Sequence, residues 1–124
     1  MPLTLTPDML VAAYDFLRTT EPFDKWGMLH GDEVEFAVIR NADYLGFFSA
    51  SLAPGRDLKM VPKIEVSDRC CGHTDTLLRA VAHEMIHLHQ WFKGLDNRSK
   101  HNADFKKKAK RVCEAHGWDP KLFV

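Results

Sequence analysis

Residues 74–92 read TDTLLRAVAHEMIHLHQWF, and this stretch is the most informative about the fold. Its apolar residues recur at spacings of three and four on more than one side, which predicts a long helix buried at the centre of the protein. Gly94, just beyond the last periodic residue, is a typical helix stop. The middle of this helix contains His83-Glu84-Met85-Ile86-His87. Because residues four apart share one helix face, both imidazoles can reach the same ion.

The spacing His-Glu-x-x-His is typical of the zinc sites of metallopeptidases. His83 and His87 would be two ligands, and Glu84 can act as a base on a water molecule beside the metal. A catalytic zinc site also needs a third protein ligand and an open position. The metzincin pattern would require glycine at position 90 and histidine at position 93, so Gln90 and Lys93 exclude that class.

Two residues after the central helix are candidates for the third ligand. His101 lies where a polar loop meets the next predicted helix, and Glu114 lies beyond the middle of that helix. We favour His101, because a ligand at the beginning of a returning helix needs the least chain distortion. Glu114 stays open as the alternative.

The sequence around the central helix predicts an α+β fold. Thr6-Pro7-Asp8 is a typical helix start, with Thr6 as the candidate N-cap and Pro7 at the first helical position. Apolar spacing predicts a first helix over 7–19. Alternating and β-rich runs predict strands at about 34–40, 44–52 and 59–67. Three successive strands indicate an antiparallel meander packed on the central helix, with Pro62 favouring an edge or a bulge. A last helix is predicted over 102–116, between Asn102 as N-cap and Gly117.

Composition narrows the class of protein. The 124 residues, 45% hydrophobic and 27% charged, fit one globular domain over 1–124. No apolar run is long enough to cross a membrane, and the N-terminus lacks the basic and apolar regions of a signal peptide. The three cysteines are an odd number with two adjacent, which is typical of a reducing compartment. We therefore expect a cytoplasmic protein without a membrane segment.

Residues on both sides of the motif follow an order known from one family. They are Leu45-Gly46, Lys63–Ser67, HEMIH at 83–87, Arg98, His101 and Phe105. In this order the chain resembles the SprT-like zinc metallopeptidases, which include the Spartan proteases, over roughly residues 30–118. The resemblance implies a zincin-like core in which His83, His87 and His101 hold one Zn²⁺. It also implies that Glu84 is the catalytic base of peptide-bond hydrolysis.

Two departures from the family pattern are visible. Asn102 follows the third histidine where members usually have glycine, and asparagine can still cap a helix and adopt a left-handed conformation. The sequence has no C-x-x-C pair, so we expect no zinc ribbon of the kind that follows the catalytic domain in many members. The residue that stabilises the oxyanion is unassigned, with Tyr44, His89 and Arg98 as candidates.

The net charge is zero because an excess of acidic residues in one part of the chain is offset by an excess of basic residues in another. Residues 1–92 contain 8 Lys and Arg against 13 Asp and Glu, whereas residues 93–124 contain 9 against 4. Five of the later cations cluster on the last predicted helix: Lys106, Lys107, Lys108, Lys110 and Arg111. Such a cluster favours contact with a nucleic-acid backbone, although it is also typical of a solvated helix face.

Three classes of function are compatible with these sequence features. The leading hypothesis is a zinc-dependent endopeptidase, with DNA-associated proteins among its substrates. The second is a non-catalytic zinc-binding adaptor that contacts nucleic acid or protein, and the third is a hydrolase of non-peptide substrates. An intact Glu84 favours catalysis, because a purely structural metal site needs no base.

Overall fold

The computed structural model of the chain describes residues 4–40, 43–52, 60–70, 74–94 and 101–123. Within these ranges, one α-helix precedes three strands and three further α-helices follow them, with short 3-10 turns in the connections. The helices are α1 (Pro7–Arg18), α2 (Thr74–Phe92), α3 (Ala103–His116) and α4 (Pro120–Phe123), and the strands are β1 (Glu35–Ile39), β2 (Gly46–Leu52) and β3 (Met60–Ser67).

The ends of the main helices follow from local side-chain chemistry. Thr6 caps α1, where its Oγ1 accepts a hydrogen bond from the Met9 amide at 3.4 Å. Asn102 caps α3, where its Oδ1 accepts a hydrogen bond from the Phe105 amide at 2.9 Å. Gly117 ends α3 with φ of 73°, a left-handed conformation that favours glycine. These signals are readable in the sequence, so the helix limits lie within one residue of the predicted ones.

The predicted antiparallel meander is wrong, because the sheet is mixed and its strand order is β1-β3-β2. β3 pairs in parallel with β1, from Glu35 opposite Lys63, and antiparallel with β2, from Gly46 opposite Val66. β3 carries Ile64 and Val66, both fully buried, and the central position covers this apolar strand on both edges. Alternation along each strand predicts which face is buried but contains no information on which strands are neighbours.

Pro62 lies in the central strand rather than in an edge strand. Its partner in β2 is Ala50, whereas the pairing with β1 begins only at Lys63. Among the strands that the structure describes, β3 therefore has a neighbour on one side only at this position. Proline has no amide hydrogen to donate. It is tolerated there because no residue of β1 lies opposite it to accept a hydrogen bond.

The core forms around α2, which contacts α1, α3, β2 and β3. One face of α1 is buried against it, through Leu10, Ala13, Tyr14 and Leu17. On the other side, Phe105, Val112 and Cys113 of α3 complete the core. Burial on several sides explains why the apolar residues of α2 are not confined to one stripe. Among the described helices, none combines the length and the apolar character that a membrane crossing requires.

Candidate metal centre

Three histidines meet at the surface of α2. His83 and His87 lie one turn apart on this helix, and His101 directly precedes the Asn102 cap of α3. One ring nitrogen from each of the three lies within 4.8 Å of the others. The centroids of the His83 and His101 rings are 4.8 Å apart, and those of His87 and His101 are 5.3 Å apart. The returning helix therefore brings the third imidazole to the other two.

The donor set fits a divalent metal ion such as zinc. Burial lowers the pKa of His83 to about 4 and that of His87 to about 3, and it also lowers the pKa of His101. The three imidazoles are therefore neutral at pH 7 and keep the lone pairs that a metal ion needs. Tetrahedral zinc with Zn–N bonds of about 2.0–2.1 Å spaces its nitrogens about 3.4 Å apart, so a closure of at most about 1.4 Å is needed.

The aromatic ring of Phe105 packs against all three histidines of the cluster. Its ring stacks on His101 with centroids 4.2 Å apart and an angle of 6° between planes, and it stacks on His87 at 4.6 Å. The His83 ring lies 5.0 Å from it, and Phe105 itself is fully buried. An apolar ring beneath three imidazoles excludes water from one side of the centre and restricts the rotation of their rings.

The orientation of His83 is set by the C-terminal part of the chain. Its Nδ1 is 3.0 Å from the backbone oxygen of Phe123, the last residue of α4. A carbonyl can only accept, so Nδ1 carries the hydrogen and Nε2 carries the free lone pair. Backbone partners of this kind orient metal-binding histidines. The sequence offered no signal for this contact, because a carbonyl oxygen is common to every residue.

Glu84 lies beside the histidines and is only 4% exposed. Burial raises the pKa of its carboxyl to about 8. Gly46, at the beginning of β2, packs directly on this side chain, because a Cβ atom there would lie 2.8 Å from Glu84 Oε2. Only a residue without a side chain leaves the carboxyl in its place. The sequence contained this glycine but could not indicate what approaches it.

His83, His101 and Glu84 line one open cleft with a volume of about 350 Å³, whereas His87 belongs to the histidine cluster but not to the lining of the cleft. Gly46 and Tyr44 lie on the β2 side, Ala80 lies on the α2 side, and Phe123 of α4 also lines the cleft. Two large apolar side chains of its lining remain exposed, Tyr44 at 47% and Leu45 at 38%. The cleft therefore gives the Glu84 carboxyl and the imidazoles of His83 and His101 access to a ligand of peptide size.

The structure separates the remaining sequence candidates. Tyr44 lines the cleft, whereas His89 is buried on another face of α2 beside Trp26, with ring centroids 4.9 Å apart. Arg98 lies outside the described residues. Glu114 is exposed near the end of α3, in a separate surface depression with Glu21, and does not join the histidine cluster. Of the two candidates for the third ligand, His101 is the one that the fold brings to His83 and His87.

The five cations of α3 do not share one environment. Lys106, Lys107, Lys110 and Arg111 are exposed. The side chain of Lys108 is only 13% exposed, and its Nζ lies 2.8 Å from Asp104 Oδ2. Lys108 therefore neutralises an acidic neighbour on its own helix, and four cations form the accessible basic face.

Comparison with known proteins identifies the family but no individual relative. Neither the curated proteins nor the solved structures contain a significant match to this chain. A model of the SprT-like family matches residues 42–122, which include β2, β3, α2, α3 and the three histidines. This family has a zincin-like fold, in agreement with the α+β core described above. Because the match covers more than half of the sequence, the chain belongs to the SprT-like family.

Proposed function

We propose that the protein is a zinc-dependent endopeptidase in which His83, His87 and His101 hold one Zn²⁺ and Glu84 is the catalytic base. The observation that carries this function is a cluster of three neutral imidazoles, two of which line an open cleft together with a buried carboxyl. Membership of the SprT-like family supports it, since it makes a metallopeptidase the expected activity.

A bound zinc ion would supply a Lewis acid for a water molecule and the substrate carbonyl, and its charge would favour the ionised form of Glu84. Glu84 accepts a proton from the attacking water at one carboxylate oxygen and returns it to the leaving nitrogen. Without a metal ion, burial raises the pKa of this carboxyl to about 8, so it would act as a base at pH 7 only when the charge of a bound cation lowers that pKa. Gly46 allows the carboxyl to lie against the beginning of β2.

The cleft favours catalysis over a purely structural metal site. Structural zinc sites are closed by four protein ligands, whereas catalytic sites have three and an open position. In the described part of the chain, the cluster contains three histidines, and its cleft is open to solvent. A buried carboxyl beside the ligands would have no use in a non-catalytic adaptor.

Removal of the metal tests this function. Unfolded casein is incubated with the zinc-loaded protein, with the protein treated with 1,10-phenanthroline, and with treated protein after zinc is restored. We expect cleavage that the chelator abolishes and zinc restores, because the attacking water depends on the metal. Cleavage that persists after complete zinc removal would contradict a metallopeptidase. Zinc binding without cleavage of casein or other unfolded proteins would favour the adaptor or the non-peptide hydrolase.

Nucleic acid is the further partner that we propose, through Lys106, Lys107, Lys110 and Arg111 on the exposed face of α3. Replacing these four residues with glutamine should weaken binding to a DNA duplex. The slope of log Kd against log salt should fall by about 0.9 for each phosphate group that the variant no longer neutralises. Fluorescence anisotropy measures both quantities, with Lys25→Gln as a control cation outside α3. Unchanged affinity and slope in the fourfold variant would exclude this surface.

A further inference from the structure

Gln90 is a buried polar residue of α2 that the proposed mechanism does not use. It lies three positions after His87, so both residues are on neighbouring parts of one helix face. Only 1% of Gln90 is exposed. Burying an amide is costly unless hydrogen bonds replace those with water. In the described part of the chain the Oε1 atom of Gln90 has no hydrogen-bond partner, so the bonds of its Nε2 atom are what offset this cost.

The amide of Gln90 connects α2 to the first turn of α3. Its Nε2 donates hydrogen bonds to Asn102 Oδ1 at 3.1 Å and to Asp104 Oδ2 at 2.8 Å. The same oxygen of Asn102 accepts the amide hydrogen of Phe105, which begins the helix. The Gln90 side chain on α2 therefore holds the cap and the first turn of α3.

This connection acts on the residue next to the cap. His101 is bonded directly to Asn102, and its ring stacks on Phe105 in the same first turn. A shift of that turn relative to α2 would move both the backbone and the stacking surface of His101. We propose that Gln90 is a positioning residue, which sets His101 against His83 and His87 through Asn102 and Asp104. This role rests on the proposed zinc site.

The test must separate positioning of His101 from a general contribution to stability. Gln90→Met preserves the volume of the side chain and removes its donors. The cap of α3 keeps its bond to Phe105, and Asp104 keeps its ion pair with Lys108, so the helix itself retains its local contacts. Tyr14→Phe is the matched control, since it removes a buried hydrogen bond to the Leu29 carbonyl in another part of the core.

Zinc affinity is measured by competition with a chromophoric chelator in the wild type, Gln90→Met and Tyr14→Phe. Residues that orient metal ligands typically change metal affinity by about 10- to 100-fold when they are replaced. We expect a loss in this range for Gln90→Met and less than about a twofold change for Tyr14→Phe. The visible spectrum of the Co²⁺-substituted Gln90→Met protein should also differ from that of the wild type, because it reports the geometry of the ligands.

A double-mutant cycle with His101→Ala gives the decisive comparison. The two remaining histidines bind zinc more weakly, so this pair is titrated directly at higher zinc concentrations. If Gln90 acts through His101, Gln90→Met should change zinc affinity by less than about twofold once His101 is absent. Equal losses in both backgrounds would overturn the positioning role, and so would a Gln90→Met protein that binds zinc as the wild type does.

Asp104→Ala is the second variant, for the case that Gln90→Met does not fold. The Asp104 side chain is 38% exposed, and its replacement removes one of the two acceptors of Gln90. We expect a smaller loss of zinc affinity in the same direction, and unchanged affinity would overturn the inference. A wild-type protein that binds no zinc would contradict the proposed function as well, whereas wild-type affinity in the variants would contradict the positioning role alone.

Discussion

Glu84→Gln should lower the rate of peptide-bond cleavage by about 10²- to 10⁴-fold and leave zinc affinity within about twofold of the wild type. Glutamine has the shape of glutamate but cannot accept a proton from water at neutral pH. The replaced group is not among the three histidines that form the cluster, so the ligand set is preserved. Casein cleavage at saturating enzyme and zinc affinity by chelator competition measure the two effects separately.

The matched control for this change is Glu114→Gln, the same substitution at an exposed position of α3. Gly46→Ala provides a second route to the same group, because its Cβ would lie 2.8 Å from Glu84 Oε2 and displace the carboxyl. We expect it to reduce cleavage while zinc remains bound, since a displacement of about 1 Å can cost about 100-fold in rate. Wild-type cleavage by Glu84→Gln would refute the role of Glu84 as the base.

His101→Ala should weaken zinc binding by roughly 10²- to 10³-fold and abolish cleavage at ordinary zinc concentrations. Structural zinc sites are worth about 10–16 kcal/mol in total, so one of four ligands accounts for roughly 2.5–4 kcal/mol. Loss of this imidazole also removes the ring that stacks on Phe105, but α3 keeps its Asn102 cap. We therefore expect a folded protein with an impaired metal site.

Glu114→Ala is the control that separates the two sequence candidates for the third ligand. Glu114 is exposed and lies away from the histidine cluster, so its replacement should change neither zinc affinity nor cleavage. Circular dichroism and thermal unfolding of both variants establish that the fold is retained. Tight zinc binding by His101→Ala, or loss of zinc in Glu114→Ala, would show that the third ligand is assigned wrongly.

The helices could be predicted from the sequence because their signals are local. Thr6 and Asn102 are caps in the structure as predicted, and Gly117 ends α3. The predicted α+β class with a zincin-like core is confirmed by the family match and the fold. The order of the strands could not be predicted, because the parallel pairing of Glu35 with Lys63 joins residues far apart in sequence. Periodicity reports only which side chains of each strand face the core.

The candidate site also has a part that could be predicted from the sequence and a part that could not. His83, Glu84 and His87 could be predicted as site residues from their helical spacing. His101 is favoured as the third ligand because it lies at the beginning of the helix that follows α2. The surroundings of these residues could not be predicted: the Phe123 carbonyl on His83, the approach of Gly46 to Glu84, and the bonds of Gln90. Each joins elements whose relative position depends on the packed core, so no local pattern indicates it.

X-ray diffraction from crystals of the zinc-loaded protein, recorded on both sides of the zinc absorption edge, locates the metal ion and identifies its ligands. We expect one anomalous peak for each chain, about 2.0–2.1 Å from a ring nitrogen of His83, of His87 and of His101, with the Glu84 carboxylate outside bonding distance. A zinc ion held by another set of residues would contradict the proposed centre. So would a fully loaded crystal in which Glu84 itself completes a closed, four-ligand site.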